Sequence, residues 1–347
     1  MTRAMSPVRS GALTAPLDGL LVIDKPAGPT SHDVVARIRR VLRERRIGHT
    51  GTLDPAATGV LPLVAGRATR LARFLSAGDK CYEAEIRLGI ATDTYDAEGT
   101  PVGPRHEGPW PAADELSCAL DAFRGQFLQH PPAFSAKKIA GRRSHRLARQ
   151  AARREGSDTL PMIFRSGSDP GLTRVRPGSD PLPPATVTAH AIDVTAVRGD
   201  RVSVRIHCSA GFYVRSLAHD LGQRLGIGAH LASLRRTRSG DCVLADALGL
   251  DAAEADPEAA RGAVVPLDRM LPGVPAVVLT EDGVLRVRHG RDVRPFDIAE
   301  PTARRDNDAD ALPVCGAVRL LDAGGRLLAI ADKKDAPASL HPSIVLV

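Results

Sequence analysis

Aromatic side chains are scarce in this sequence: 3% of 347 residues, with one Trp, three Tyr and seven Phe. Each of Tyr82, Tyr95 and Tyr213 therefore counts for more than a tyrosine usually does. Cysteine is also sparse, and the five residues at 81, 118, 208, 242 and 315 form no C-x-x-C pair. That argues against a disulfide framework and a cysteine zinc site, and suits a reducing cytoplasm. No apolar run reaches 18 residues, so no segment reads as a membrane-spanning helix. Residues 1–17 hold Arg3 and Arg9 but no apolar core segment. They read as a disordered tail, not a signal peptide.

What is present is ordinary for a soluble globular chain: 43% hydrophobic and 25% charged residues, enough length for a large and a small domain. A formal charge of +7 and a pI near 9.5 favour a polyanionic partner.

Along the chain, "GLLVID" reads as a short apolar strand stopped by Pro26, Gly28 and Pro29. Thr30 or Ser31 then caps a helix whose buried face is Val34, Val35, Ile38, Val41 and Leu42. A Gly-rich loop, a strand around "GVLPLVAG" and a helix carrying Leu71, Phe74 and Leu75 follow. "KCYEAEIRL" alternates as a strand, with Tyr82, Ala84, Ile86 and Leu88 on one face. "DELSCALDAFRG" is a helix closed by Gly125.

The region 126–154 changes character. "HPPAFSAKK" is Pro-rich, and residues 137–154 contain eight Lys or Arg and no acid. Residues 155–184 are rich in Gly, Ser, Asp and Pro and read as a flexible insertion. Order returns at "RVSVRIHC", a strand, followed by a helix with Val214, Leu217, Ala218, Leu221 and Leu225 on one face. A polar stretch near 251–265 reads as a linker. Residues 275–347 read as a β-rich module with turns at Asp282-Gly283, His289-Gly290 and Gly324-Gly325. Helices and strands mix without βαβ regularity, which is the α+β class.

The stretch "RIGHTGTLDPAATGVLPLVAGRATR", residues 46–70, contains a single carboxylate, Asp54. A phosphate loop is excluded, because no Lys stands in the required order. A local metal site lacks ligands, since only His49 is nearby. Two readings remain: an Asx-type turn before Pro55, or a carboxylate presented on a loop whose small neighbours admit a bulky ligand. Tyr82 is either core packing or a base-stacking ring, and Tyr213 either a capping residue or a stacking one. Eight like charges over 137–154 repel one another, which a phosphate backbone would relieve.

Together these residues resemble the bacterial tRNA pseudouridine-55 synthases, the TruB family. The resemblance covers most of 18–250 and rests on motifs in the family's order: "LLVIDKPAGPTSHDVV", "GHTGTLDPAATGVLPLVAGRATR", "DKCYEAEIRLGIATDTYDAEG", "QHPPAFSAKKIAGR", "CSAGFYVRSLAHDLG" and "AHLASLRRTRSG". It implies a pseudouridine synthase fold over 18–265, a mixed, largely antiparallel sheet with flanking helices. A PUA-like RNA-binding domain is implied over 275–347. The implied reaction is isomerisation of uridine 55 in the tRNA T loop, with neither cofactor nor metal, by a cytoplasmic monomer. The resemblance makes Asp54 the catalytic carboxylate and Arg215 its counter-charge. It gives Tyr82 the flipped base to stack on, with a hydroxyl placed for proton removal at C5. Tyr213 and Leu234 become pocket residues and His49 a contact to the T loop. Residues 126–154 match an RNA-clasping thumb, with Lys137, Lys138, Arg142 and Arg143 as phosphate contacts, and His145 stands where the family usually has Tyr. Two rivals remain: a non-catalytic RNA-binding module, and an Asp-dependent hydrolase drawing a second carboxylate from Asp93 or Asp96.

Overall fold

The computed structural model describes residues 17–132, 138–139, 142–143, 183–299, 316–334 and 339–347. Lys137, His145 and all of the 155–184 insertion except residues 183 and 184 lie outside this set. Of the 1–17 tail only Leu17 lies within it, and it packs against the core.

An eleven-stranded mixed sheet forms the larger part. Its main strands are β1 (Gly19–Lys25), β2 (Ile47–His49), β3 (Thr58–Ala65), β4 (Lys80–Leu88), β5 (Gly125–Gln129), β6 (Ala185–Arg198), β7 (Arg201–Cys208) and β8 (Ala229–Ser239). Across the sheet the order is β1-β3-β8-β4-β7-β6-β5, with β2 on the side of β3. These neighbours pair antiparallel except β3 with β8, which run parallel through Thr58↔Arg235 and Gly59↔Arg236. The α+β reading stands.

Helix α1 (Ser31–Leu42) starts at a capping box in which Thr30 and Asp33 satisfy each other's backbone N–H, worth about 1 kcal/mol. Its buried residues Val34, Val35, Ile38 and Leu42 pack on β1 and β3 with two short helices, α4 (Leu250–Ala255) and α5 (Pro257–Gly262). The polar stretch near 251–265 is therefore not a linker. Each of these helices has six residues, too few to display a periodic apolar face, and they attach through Leu250, Ala253 and Ala260. On the same side of the sheet, α2 (Ala113–Asp121) and α3 (Val214–Leu225) cover β4, β6 and β7. Helix α2 ends at Asp121, and Gly125 opens the following strand rather than closing the helix.

Two long strands were not legible in advance. β6 begins at Ala185, ahead of the expected return of order, and β8 carries Arg235, Arg236 and Arg238 through the middle of the sheet. A strand that charged does not show the alternation that marks a buried strand.

The C-terminal module is a four-stranded sheet of β9 (Ala276–Val278), β10 (Ala317–Leu321), β11 (Leu327–Lys334) and β12 (Ser339–Val345). Asp282-Gly283 is not a turn. It lies in helix α6 (Glu281–Arg288), capped by the Thr280 hydroxyl, with Gly283 where a side chain would strike the Asp297 carbonyl. Gly324-Gly325 does form the turn between β10 and β11. Leu327, Ile330 and Leu346 pack against Leu20, Val22, Val60 and Val64, the face of β1 and β3 turned away from α1. Arg67 and Arg70 donate to the carbonyls of Leu346 and Val345 across the same contact.

Candidate active site

Asp54 lies on the loop between β2 and β3, and the small residues around it do not leave that loop loose. The Leu53 N–H donates to the Ser31 hydroxyl at 2.9 Å, and that hydroxyl donates to the Leu53 carbonyl at 3.0 Å. From below, the buried Lys25 ammonium donates to the carbonyls of Pro26, Pro55 and Ala57 at 2.9, 2.9 and 2.6 Å. Burial lowers the Lys25 pKa to about 8, against the raising pull of Asp54, and Arg236 adds to the lowering. Asp54 does open a turn, as Asp-Pro suggests. The turn closes through the Asp54 backbone carbonyl, which accepts from the Ala57 N–H at 3.1 Å, with Pro55 at its second position. It is a backbone turn and not the Asx-type side-chain turn, so the carboxylate is left to face Arg215.

That carboxylate meets Arg215. Arg215 Nε lies 3.0 Å from Asp54 Oδ2 and Nη2 3.4 Å from Oδ1, with the arginine side chain 8% exposed and the aspartate 44%. Arg215 is held from the far side by the Thr94 carbonyl and Asp96 Oδ2, each 3.3 Å from Nη1. Asp96 is itself engaged, its Oδ1 accepting from the Thr94 hydroxyl and the Glu98 N–H. It is a brace for Arg215 rather than the free second carboxylate that a hydrolase would need. Desolvation pushes the Asp54 carboxyl above the usual carboxylate range; Arg215 opposes the rise, Asp96 adds to it and Lys25 opposes it.

Arg215 stands at the second position of α3, whose first turn is anchored. The Tyr213 N–H donates to Gln129 Oε1 at 2.8 Å, Gln129 Nε2 donates to the Tyr213 carbonyl at 3.0 Å, and the Ser216 hydroxyl donates to the His130 carbonyl at 2.7 Å. The end of β5 thus fixes the helix that carries Arg215. Four residues on, His219 stacks on Tyr95 with centroids 3.8 Å apart. Tyr95 takes a left-handed φ of 67° in the turn that delivers Thr94 and Asp96.

Tyr82 is buried on β4, and desolvation raises its hydroxyl pKa. Arg236, a buried arginine absent from the sequence reading, opposes that rise with its charge. Arg236 Nε also donates to the Val60 carbonyl at 2.7 Å and Nη2 to the Gly51 carbonyl at 3.1 Å. Gly59, at φ 100°, is required beside it, because a Cβ there would lie 2.2 Å from the Arg236 carbonyl. Leu234 packs between the two helix-side clusters. His49, on β2, meets His32 edge-on at 5.1 Å. Lys138, Arg142 and Arg143 fall in a two-residue antiparallel pairing, Lys138↔Arg143 and Ile139↔Arg142. Lys25 and Arg236 are the residues that sequence reasoning missed at this site, and Asp96 was named only for the hydrolase reading. The signal for Lys25 was a cation at the end of an apolar strand; Arg236 stood among other arginines and gave none.

A carboxylate held by a guanidinium, beside a buried aromatic ring and an aliphatic wall, suits chemistry on a flat, electron-poor ring. Residues 39–165 match the N-terminal domain of the TruB family pseudouridylate synthases, and 215–272 match the tRNA pseudouridylate synthase B C-terminal domain. The tRNA pseudouridine synthase B of Solibacter usitatus is 40% identical over 334 residues, covering 95% of this chain and all of that one. Its counterpart from Synechococcus sp. is 39% identical, covering 96% and 98%. Among solved structures, an H/ACA RNP bound to a substrate RNA containing 2'-deoxyuridine gives a TM-score of 0.63 at 25% identity, covering 95% of this chain and 86% of that one. An archaeal Nop10–Cbf5 complex, at 23% identity and the same TM-score and coverage, supports the fold alone. With a relative 40% identical from end to end, and family matches over both halves of the site, this chain belongs to the TruB family of pseudouridylate synthases.

Proposed function

We propose that this chain isomerises uridine 55 in the T loop of tRNA to pseudouridine, with Asp54 as its catalytic carboxylate. The observation that carries this reading is the Arg215–Asp54 pair, in which a nearly buried guanidinium holds a partly exposed carboxylate 3.0 Å away. A uracil cannot detach its N1 from C1′, turn and rejoin C1′ through C5 while stacked. It is extruded first, at a cost of a few kcal/mol. The C1′–N1 bond then breaks, the free uracil turns within the pocket, C5 bonds to C1′, and the C5 proton leaves. Asp54 acts as an anion, as nucleophile or base at the ribose or as nucleophile at the base, and Arg215 keeps it ionised where desolvation opposes charge. Tyr82 supplies the flat face for the uracil and Leu234 closes the pocket against water. Tyr213 lines the pocket, and His49 contacts the T loop at its edge. Lys137, Lys138, Arg142 and Arg143 form part of a thumb that clasps phosphates, and residues 275–347 form a PUA-like RNA-binding domain. The enzyme works as a cytoplasmic monomer and needs no cofactor or metal. The hydrolase rival is disfavoured because the oxygens of Asp96 are already engaged by Arg215, Thr94 and Glu98.

The test uses a T-arm stem-loop RNA tritiated at C5 of the target uridine, with chelator present. The wild-type chain releases tritium, whereas Asp54→Asn binds the RNA and releases none. Release by the variant would overturn the assignment of Asp54, and free uracil in place of pseudouridine would point to the hydrolase. Removing the charges at Lys137, Lys138, Arg142 and Arg143 should weaken binding and lower the salt slope by about one per lost phosphate contact. An unchanged slope would remove the thumb from the RNA interface.

A further inference from the structure

On the sheet face opposite Tyr82, residues far apart in sequence converge on one point. Asp79 directly precedes β4, His190 lies on β6 and His207 on β7. His207 points outward because its neighbours Ile206 and Cys208 are buried on the other side. Asp79 Oδ2 is 3.2 Å from His190 Nε2 and 3.5 Å from His207 Nε2. The three ligand atoms all lie within 4.8 Å of one another, and the two imidazole centroids are 4.6 Å apart.

We propose that Asp79, His190 and His207 form a binding site for a divalent transition metal of zinc's class, separate from the Asp54 cleft. Two imidazole nitrogens and a carboxylate oxygen are a donor set that zinc takes, with a fourth position left to water. Zinc–ligand bonds near 2.0–2.1 Å in a tetrahedron put ligand atoms about 3.3 Å apart. The two Asp79 edges already match that spacing, so only the gap between the imidazoles has to close. Each of the three side chains is 37–43% exposed, which gives a metal a path in.

One cation now occupies part of the site: Arg238 Nη2 lies 2.9 Å from His207 Nε2. Its own Nε is buried without a hydrogen-bond partner, so little holds the guanidinium in place against a metal. The metal displaces Arg238 and ties the start of β4 to β6 and β7. Binding weakens as pH falls, because imidazole ligates only when neutral.

The experiment titrates Co²⁺ alone into the full chain and follows the visible absorption of four-coordinate cobalt, then displaces it with Zn²⁺. Melting is followed with and without Zn²⁺. The wild-type chain is expected to develop the band and to melt higher with Zn²⁺. His190→Ala and His207→Ala are each expected to weaken binding on the order of tenfold or more and to abolish the melting shift. Arg238→Ala, which removes the competing cation, is expected to bind more tightly than wild type. Affinity and melting shift unchanged in both histidine variants would place the metal elsewhere and overturn the proposal. A wild-type chain that shows no band at millimolar Co²⁺ would overturn it as well.

Discussion

The two halves of the large sheet are built by different rules. In β1 and β3 nearly every residue is buried: Leu20 to Ile23 and Val60 to Ala65 face α1 on one side and the C-terminal module on the other. In β4 and β7 burial alternates, with Tyr82, Ala84, Ile86 and Leu88 inward and Glu83, Glu85 and Arg87 outward. A strand covered on both faces reads as a continuous apolar run, and a strand covered on one reads as an alternation. The Asp54 loop hangs from the doubly covered half, where its backbone is pinned. The ring of Tyr82 belongs to the other half. The two meet at β8, through two parallel residue pairs and the side chain of Arg236.

If that division is correct, the same kind of change should cost very different amounts on its two sides. Val60→Asp puts an unpaired charge between two covered faces and should cost several kcal/mol. Glu83→Ala, on the open face, should stay within about 0.5 kcal/mol. Urea unfolding of both variants measures this, and equal costs would break the comparison. Arg236→Met at the seam removes the side-chain donor to the Val60 and Gly51 carbonyls and the positive charge beside Tyr82. It should cost about 3 kcal/mol and lower turnover more than RNA affinity. Tyr82→Phe, which keeps the ring, should lower turnover about 10²-fold if the hydroxyl takes part in removing the C5 proton. Unchanged turnover would leave the residue as a stacking wall alone.

The smallest effects concern pH. Because the folded pKa of Asp54 is raised, the folded chain keeps that proton over a window above the unfolded carboxylate value. Stability falls as pH rises through that window, and the deficit persists above it. Asp54→Asn should therefore melt no lower than wild type at neutral pH while losing activity. The acid limb of wild-type turnover should lie above the ordinary carboxylate range. Arg215→Gln, which removes the opposing charge, should move it higher still. An acid limb that stays in place in that variant would show that Arg215 does not hold the charge.

Strong local patterns were legible in advance. The α1 face, the β4 alternation, the Thr30 cap and the Asp54-Pro55 turn each follow from nearest neighbours along the chain. The 251–265 helices were missed because two turns of helix display no period. β6 was missed because it follows a low-complexity stretch, and β8 because its arginines conceal the alternation. At the site, the motif order singled out Asp54, Tyr82, Tyr213, Arg215 and Leu234. It was silent on Lys25 and Arg236, whose partners are carbonyls 30 to 185 residues away apart from the adjacent Pro26.

The sequence by itself determined which segments are doubly buried and which are amphipathic, because hydrophobic period is a property of neighbouring residues. It also determined that one carboxylate stands in the Gly-rich loop. Only the tertiary structure decided that this loop is rigid, that Asp96 braces Arg215, and that Asp79, His190 and His207 share one corner. Each of those depends on strand order and register, which bring together side chains that have no relation along the chain.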